Sequence, residues 1–219
     1  MGLGREKRRL IARRAARELK SGMIVNLGIG IPTLVADYVP EGVHVVFQAE
    51  NGILGYDRTP EPGQEDAFLC NAGGLPVTLA EGASYFDSTI AFGMIRCGLL
   101  DITILGALQV SVRGDLANWI VPGKRVPGMG GAIDLAQKAK RVVVVTEHLS
   151  RDGMSKIMPE CTYPLTVRDA VNLIITDMAV IEVTGEGLVL REVTEEYSIE
   201  DVVRATSAPL IIPNNVGQF

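Results

Sequence analysis

Short, uninterrupted apolar runs recur along this chain and constrain its fold more than any other feature. Residues 142–146 read VVVVT and residues 101–110 read DITILGALQV. Such runs are typical of strands covered on both faces, because a strand with one face in water alternates apolar and polar residues. A helical pattern follows at 133–140, IDLAQKAK, and strands separated by helices imply βαβ units with right-handed crossovers. The sequence therefore predicts an α/β protein with a mainly parallel sheet flanked by helices, in a single domain over residues 1–219.

The remaining elements follow from the same patterns and from turn residues. Further strands are expected at 23–29 and 44–49, and a hairpin at 179–183 and 188–193, turning at Gly185–Gly187. Further helices are expected at 32–38, 84–98, 166–176 and 198–206, the last with a capping box.

The N-terminal segment is strongly basic. Residues 4–22 hold 8 of the 21 Lys and Arg residues of the chain. Glu6 and Glu18 lie among them, which argues against a mitochondrial presequence because such sequences are poor in acids. Ile11, Ala15 and Leu19 recur at every fourth position, so we expect a first helix with a solvated basic face. Contact of this face with an acidic partner subunit is the alternative.

Composition excludes several function classes. The net charge of −5 argues against a nucleic-acid-binding protein. No apolar run approaches the roughly 20 residues of a membrane span, so no membrane association is expected. Three widely spaced cysteines are typical of a reducing cytoplasm, where we expect the protein to be located. His44 and His148 are the only histidines, which offers little for a metal site, and structural or surface roles are expected for both.

Two glycine-rich turns precede predicted helices. The first, NLGIGIPT at 26–33, contains Gly28 and Gly30, and backbone N–H groups at such a helix start can bind phosphate. Thr33 stands where a dinucleotide-binding fingerprint requires glycine, so that interpretation is disfavoured. Alternatively, these glycines only allow a sharp strand-to-helix turn.

The second glycine-rich turn, VPGMGGAIDL at 126–135, contains Gly128, Gly130 and Gly131. Asp134 lies in the first turn of the helix that follows and is expected to be structural. The two turns together indicate a site that grips its ligand through backbone amides.

The carboxylate of Glu50 lies in QAENGILG, residues 48–55, directly after a predicted strand. It has three interpretations: an acid at the rim bonded to the Asn51-Gly52 turn, a ribose-binding acid 22 residues beyond Gly28, or a nucleophile. A nucleophilic carboxylate needs a rigid platform and an activated acceptor such as a thioester. The strand end and the glycine turns provide the platform and candidate oxyanion donors.

Long ordered motifs identify a family resemblance that runs almost end to end. The chain resembles the β subunit of the family I CoA-transferases, the group of the acetoacetate, succinyl-CoA:3-oxoacid and 3-oxoadipate enzymes. The motifs are VNLGIGIPTLVADYVP, ENGILG, LCNAGGLPVT, GALQVSVRGDLANWIVPGK, GMGGAIDL, TEHLSRDGMSKI, CTYPLT and IITDMAVIEV. Two features depart from the pattern: Ala49 replaces the usual serine before the glutamate, and residues 55–68 differ from the usual loop.

The resemblance implies a specific chemistry. Glu50 corresponds to the catalytic glutamate, which carries CoA as a glutamyl-CoA thioester in a ping-pong exchange between an acyl-CoA and a carboxylic acid, such as a short-chain or 3-oxo acid. It implies no metal and no cofactor, since CoA is itself a substrate. It also implies a separate α subunit of the same overall fold as partner, with the active site at the contact between the two subunits.

Site roles follow by position in the matching motifs. The CoA- and substrate-binding residues implied are Gly28, Gly30, Ile31, Gly130 and Gly131, and the residues implied to orient Glu50 are Asn51 and Gly52.

Other polar and aromatic residues are ambiguous. Asn26 and Gln109 either contact the ligand or satisfy backbone groups. Lys124 and Lys156 either meet CoA phosphates or are solvated, the latter being favoured. For Trp119 and Tyr85 we expect core or interface packing.

Two rival functions remain at this point. Ribose-phosphate isomerases and sugar-phosphate deaminases share the layered α/β fold, and a sugar-phosphate isomerase would use the carboxylate as a general base. A non-catalytic CoA sensor would keep the fold with an inert site.

Overall fold

The computed structural model describes residues 4–124 and 128–219. The α-helices are α1 (Arg5–Ala16), α2 (Ser88–Arg96), α3 (Ala132–Lys138) and α4 (Ile199–Ala205), and a 3₁₀ helix spans Pro32–Tyr38. The strands are β1 (Ile24–Leu27), β2 (Val46–Ala49), β3 (Ile53–Tyr56), β4 (Leu79–Tyr85), β5 (Ile102–Gly106), β6 (Gln109–Ser111), β7 (Leu116–Ala117), β8 (Val142–Val145), β9 (Ile157–Met158), β10 (Leu173–Ile175), β11 (Ala179–Thr184), β12 (Gly187–Val193), β13 (Leu210–Ile211) and β14 (Gly217–Gln218).

A parallel array forms the centre of the main sheet. Strands β10, β8, β5, β1 and β2 lie side by side in that order, all parallel. Antiparallel pairing extends the array through β3 and β4 at one edge and through β11 and β12 at the other. A smaller sheet pairs β6 with β7 and β9. The predicted α/β class with a mainly parallel sheet is confirmed.

Strand β8 shows why its sequence has no polar alternation. Val143 and Val145 pack into one hydrophobic cluster together with Ile11 of α1. Val142 and Val144 pack into a second cluster together with Leu135 of α3. Both faces of the strand are therefore covered, and every position must be apolar.

Helix α1 carries the basic N-terminal segment and turns one arginine inward. Arg14 is only 7% exposed, and its guanidinium donates to both carboxylate oxygens of Glu192 at 2.6 and 2.7 Å. It also donates to Glu18 at 2.8 Å. This bidentate pairing offsets the cost of burying the charge and ties α1 to β12. The other arginines of the helix are exposed, as the solvated-face interpretation predicts.

Several smaller predictions are confirmed. The β11–β12 hairpin forms, and Ser198 and Asp201 make a capping box at the start of α4. Helix α2 is shorter than predicted, because Asp87 caps it by accepting a hydrogen bond from the backbone N–H of Ile90 at 2.9 Å.

The predicted helix at 166–176 is wrong. Residues 173–175 form strand β10, which pairs with β8, and Thr166 instead donates its backbone N–H to Leu116 at 2.7 Å. Asp169 has φ +49°, which interrupts any helix there. The apolar spacing matched a helix by coincidence, and burial of a Leu-Ile-Ile run within the sheet outweighed it.

The predicted strand at 101–110 is divided. Strand β5 ends at Gly106, and the chain then leaves the main sheet to form β6 in the smaller one. The chain therefore leaves the carboxyl edge of the main sheet at Gly106. Within the described ranges, no helix combines the length and apolar character needed to cross a membrane.

His148 is a buried structural histidine, while His44 is exposed. The Nδ1 of His148 lies 3.0 Å from the hydroxyl of Thr176 and its Nε2 lies 2.9 Å from that of Thr206. The Thr206 hydroxyl donates to the carbonyl of Val202, so it accepts from Nε2–H. The Thr176 hydroxyl accepts from the N–H groups of residues 178–179 and also lies 3.2 Å from the carbonyl oxygen of Ala179, to which it can donate. Both ring nitrogens therefore have a hydroxyl partner inside the core.

Burial lowers the pKa of the His148 imidazole from its usual 6.5 to about 4. Between these values the unfolded chain binds a proton that the folded chain does not, so stability rises with pH. We expect His148 to contribute on the order of 3 kcal/mol to the loss of unfolding free energy on acidification through this window.

Urea denaturation of the chain at pH 4 to 7 measures this dependence. His148→Gln is expected to lose that part of the slope, and His44→Gln, at the exposed histidine, to keep it. Identical slopes in the wild type and His148→Gln would contradict the assignment.

Candidate active site

Glu50 lies at the carboxyl edge of the parallel strands. It directly follows β2, Gly28 follows β1, and β5 ends at Gly106. Strand β1 lies between β2 and β5, so the chain continues from β1 to a neighbour on one side and later returns to a neighbour on the other side. A crevice opens at the carboxyl edge of a parallel sheet at such a point. A cleft of about 510 Å³ occupies the crevice. Its lining includes Gly28, Ile29, Glu50, Ala107, Leu108, Asn118, Trp119, Met129, Gly130 and Gly131.

A tight turn presents Glu50. The N–H of Gly52 donates to the carbonyl of Ala49 at 3.0 Å, and Gly52 has φ +116°. A methyl group on Gly52 would lie 2.0 Å from the carbonyl oxygen of Phe86. The amide of Asn51 donates to the carbonyl of Cys70 at 2.8 Å, which ties the turn to the next loop. These contacts hold the turn, and the orienting role of Asn51 and Gly52 stays a prediction.

Asn26 holds one oxygen of the carboxylate. Its Nδ2 donates to Glu50 Oε2 at 3.1 Å, and to the side-chain and backbone oxygens of Gln48 at 2.9 and 3.1 Å. Asn26 is therefore a contact of the site and not merely a partner of the backbone. Burial and the negative charge of Glu50 raise the pKa of the Tyr56 phenol beneath the turn, so Tyr56 stays neutral.

The other oxygen of Glu50 faces the second glycine-rich turn. A methyl group on Gly131 would lie 3.8 Å from Glu50 Oε1 and 3.0 Å from Cζ of Phe92. Glycine at 131 thus allows the ring of Phe92 to pack against the turn that lies beside the carboxylate. Gly130 has φ +56° and also lines the cleft. Of the motif that contains these glycines, Val126 and Pro127 lie outside the described residues.

Only some residues of the first glycine-rich turn line the cleft. Gly28 lies against β5, where a methyl group would come within 3.1 Å of Leu105 Cδ2. Gly30 has φ +97° and is exposed, and the side chain of Ile31 packs against the core. Gly30 and Ile31 are not among the residues that line the cleft, whereas Ile29, which the sequence reasoning passed over, is 70% exposed beside it.

Several ambiguous side chains find clear partners. Gln109 accepts from the backbone N–H groups of Thr162 and Tyr163 at 2.8 and 3.0 Å, so it satisfies backbone. Asp134 forms an ion pair with Arg96 that joins α3 to α2, which makes it structural.

The two lysines differ from each other in exposure, and so do the two aromatic residues. Lys124 is exposed, as a solvated lysine would be. The same expectation for Lys156 is wrong, because its side chain is half-buried, its Nζ donates to Thr146 Oγ1 at 3.1 Å and burial lowers its pKa. Trp119 lines the cleft and donates to the carbonyl of Leu165, while Tyr85 is 62% exposed, which excludes core packing.

Other cleft residues were missed from sequence. Asn118 donates to the carbonyl of Gly106 at 3.2 Å, and Leu108 and Met129 add apolar lining. The signal available was their position, since Leu108 and Asn118 share one motif with Trp119 and Met129 lies inside the second glycine-rich turn.

Comparison with known proteins decides the family. The family model described as Coenzyme A transferase matches residues 8–205. The chain belongs to the coenzyme A transferase family. It is 58% identical over 212 residues to the beta subunit of a probable coenzyme A transferase of Bacillus subtilis, covering 97% of this chain and 98% of that one. It is 49% identical over 201 residues to a subunit of the succinyl-CoA:3-ketoacid coenzyme A transferase of Helicobacter pylori, covering 92% and 97%. It is 46% identical over 198 residues to the beta subunit of the acetate CoA-transferase of Escherichia coli, covering 90% of each chain.

Solved structures show that the fold of this chain is shared with other proteins. An acyl-CoA transferase of E. coli O157:H7, in a thioester complex with CoA, has a TM-score of 0.75 at 21% identity. The match covers 97% of this chain and 43% of that one, so this chain spans less than half of its length. Glutaconate coenzyme A-transferase of Acidaminococcus fermentans has a TM-score of 0.74 at 18% identity, covering 97% and 88%. The decarboxylase AibA/AibB also has a TM-score of 0.74, at 22% identity, with the same coverages, so this fold hosts more than one activity.

The turn of this coenzyme A transferase chain leads to a testable prediction. Gly52→Ala forces a methyl group into the carbonyl of Phe86, so we expect the free energy of unfolding to fall by at least about 3 kcal/mol. Gly63→Ala is the matched control, because Gly63 has φ +85° but nothing within 4 Å of an added methyl group. Its expected cost is about 1 kcal/mol. Chemical denaturation measures both, and equal losses would show that the contact with Phe86 does not constrain the turn.

Proposed function

We propose that this chain is the β subunit of a CoA-transferase in which Glu50 is the catalytic nucleophile. The observation that supports this most is the geometry of one carboxylate. Asn26 holds Oε2 of Glu50, while Oε1 lies beside Gly131 in a cleft at the carboxyl edge of the sheet. A carboxylate oxygen that is held in position can attack an activated carbonyl.

In the first half-reaction, Oε1 attacks the acyl-CoA carbonyl carbon. The C–S bond breaks, which leaves a mixed anhydride on Glu50 and CoA as thiolate. The thiolate then attacks the glutamyl carbonyl carbon of the anhydride. The anhydride C–O bond breaks, the first carboxylate leaves, and CoA is bound to Glu50 as a thioester. A second carboxylate reverses both steps and leaves as its CoA ester, so the exchange is ping-pong.

The cleft suits this chemistry in two ways. Glycine at 130 and 131 lets the backbone approach a bulky ligand, as in other sites that bind through main-chain amides. Ile29, Leu108 and Met129 provide apolar lining, and exclusion of water protects an anhydride and a thioester from hydrolysis. Each step balances with CoA and carboxylates alone, so the proposal includes no metal and no further cofactor.

A separate α subunit completes the enzyme in this proposal. Relatives at 45–58% identity are named as beta subunits. Large apolar side chains are exposed on segments attached to the catalytic turn: Ile29 at 70%, Phe68 at 95%, Tyr85 at 62% and Ile90 at 53%. Exposed large apolar side chains are typical of a subunit interface, and of these four Ile29 lines the cleft.

The substrate class proposed is a short-chain or 3-oxo carboxylic acid and its CoA ester. This rests on the names of the relatives, which include acetate, succinyl-CoA:3-ketoacid and 3-oxoadipate CoA-transferases.

Peptide mass spectrometry of the assembled complex, after mixing with short acyl-CoAs, tests the nucleophile. We expect a CoA adduct on the peptide that contains Glu50, absent in Glu50→Gln. The variant should lose exchange activity by roughly 10³-fold or more, because covalent catalysis is removed. Glu61→Gln, in the exposed loop after β3, is the control and should keep both. Acyl-CoA binding by an assembled complex without adduct or exchange would instead support a CoA sensor.

The partner is tested by purifying the chain with and without the α subunit. The chain alone is expected to show no CoA exchange, and the mixture to elute as one complex with activity. A monodisperse, active preparation of this chain alone would overturn the requirement for a partner.

A further inference from the structure

Three buried polar side chains form a rung across the centre of an otherwise apolar sheet. Asn26 pairs in register with Gln48 on one side and with Thr103 on the other, across β2, β1 and β5. All three residues are 0% exposed. Buried polar groups cost free energy unless they are hydrogen-bonded, and apolar residues of similar shape would serve a sheet core at least as well. The rung therefore calls for a role beyond packing.

The rung has a fixed donor and acceptor order. Gln48 Nε2 donates to the backbone carbonyl of Ala91 in α2 at 3.4 Å. A backbone carbonyl can only accept, so Gln48 must direct its Oε1 towards Asn26. Asn26 must then direct its Nδ2 towards Oε1 of Gln48, and the backbone carbonyl of Gln48 requires the same orientation. The Oδ1 of Asn26 consequently faces the hydroxyl of Thr103, which donates to it.

The two N–H groups of Asn26 Nδ2 are shared among three acceptors, and the third of these is Glu50 Oε2 at 3.1 Å. A reversed Asn26 amide would instead face the carboxylate with an oxygen, which is repulsive. In the observed orientation, the hydrogen bond from Asn26 Nδ2 to Gln48 Oε1, at 2.9 Å, is the shortest of the three that Nδ2 donates. The Gln48 side chain thus restrains the amide that holds the carboxylate, together with the backbone carbonyl of Gln48.

Helix α2 links this rung to the second glycine-rich turn. Gln48 contacts α2 at Ala91, and the next residue, Phe92, lies against Gly131. Gly131 in turn borders Glu50 Oε1. One helix therefore contacts both the group that restrains the carboxylate and the turn that borders its free oxygen.

We propose that Gln48 is a positioning residue for the transfer reaction, acting through Asn26 to hold the Glu50 carboxylate with Oε1 free for attack. This rests on the proposed function of Glu50. Gln48 does not touch the cleft, so its effect is on the rate of attack and not on the binding of CoA.

The test compares Gln48→Leu with Thr103→Val in the assembled complex. Both substitutions remove one polar member of the rung at similar volume, but only Gln48 holds the Nδ2 end of Asn26. We expect Gln48→Leu to slow single-turnover adduct formation on Glu50 roughly tenfold, by weakening one hydrogen bond to a charged group, with KM for acyl-CoA unchanged. Thr103→Val should stay within about twofold, since it leaves the Nδ2 contacts in place.

A double-mutant cycle separates positioning from general destabilisation. If Gln48 acts through Asn26, adding Gln48→Leu to Asn26→Ala causes no further loss of the adduct rate. Additive losses, equal effects of Gln48→Leu and Thr103→Val, or an unchanged adduct rate in Gln48→Leu would each overturn the proposal.

Crystal structures of the wild-type and Gln48→Leu complexes give a readout independent of activity. The Asn26 Nδ2–Glu50 Oε2 distance is expected to lengthen to roughly 4 Å or more in the variant, beyond hydrogen-bond range. An unchanged distance overturns the positioning role. Absence of any adduct in the wild type would refute the proposed function of Glu50, and the two structures would still decide whether Gln48 positions the carboxylate.

Discussion

The parallel pairing of β5, β1 and β2 is the constraint on which the rest of this structure depends. Parallel strands end at the same edge, so residues distant in sequence meet there. Gly28, Glu50 and Gly106 come together for this reason alone. Covering both faces with helices makes the platform rigid, and that rigidity is what a carboxylate needs in order to act as a nucleophile.

Polar groups inside this apolar platform are arranged in an order that backbone carbonyls determine. Asn26 and Gln48 are fully buried, and each amide has one orientation that satisfies its neighbours. Their order ends in an N–H donor directed at Glu50. A buried network of this kind has a stability cost, but it specifies one geometry around the proposed nucleophile.

Much of the fold and the position of Glu50 after a buried strand could be read from sequence, and the failures have physical reasons. The valines at 142–145 predicted a strand buried on both faces, and the Ser198 capping box predicted α4; both are present. The helix predicted at 166–176 failed because helical spacing cannot reveal that a sheet will bury residues 173–175. Lys156 was expected in solvent, and only the packing around Thr146 shows otherwise.

The sequence by itself determined the family, the α/β class and the candidacy of Glu50, because long ordered motifs and local patterns are properties of the chain. Tertiary structure decided which oxygen of Glu50 is held, that Asn26 serves the site while Gln109 serves the backbone, and that Gly131 borders the free oxygen. Hydrogen-bond partners 22 to 53 residues apart depend on strand register and helix packing, which arise only when the whole chain folds.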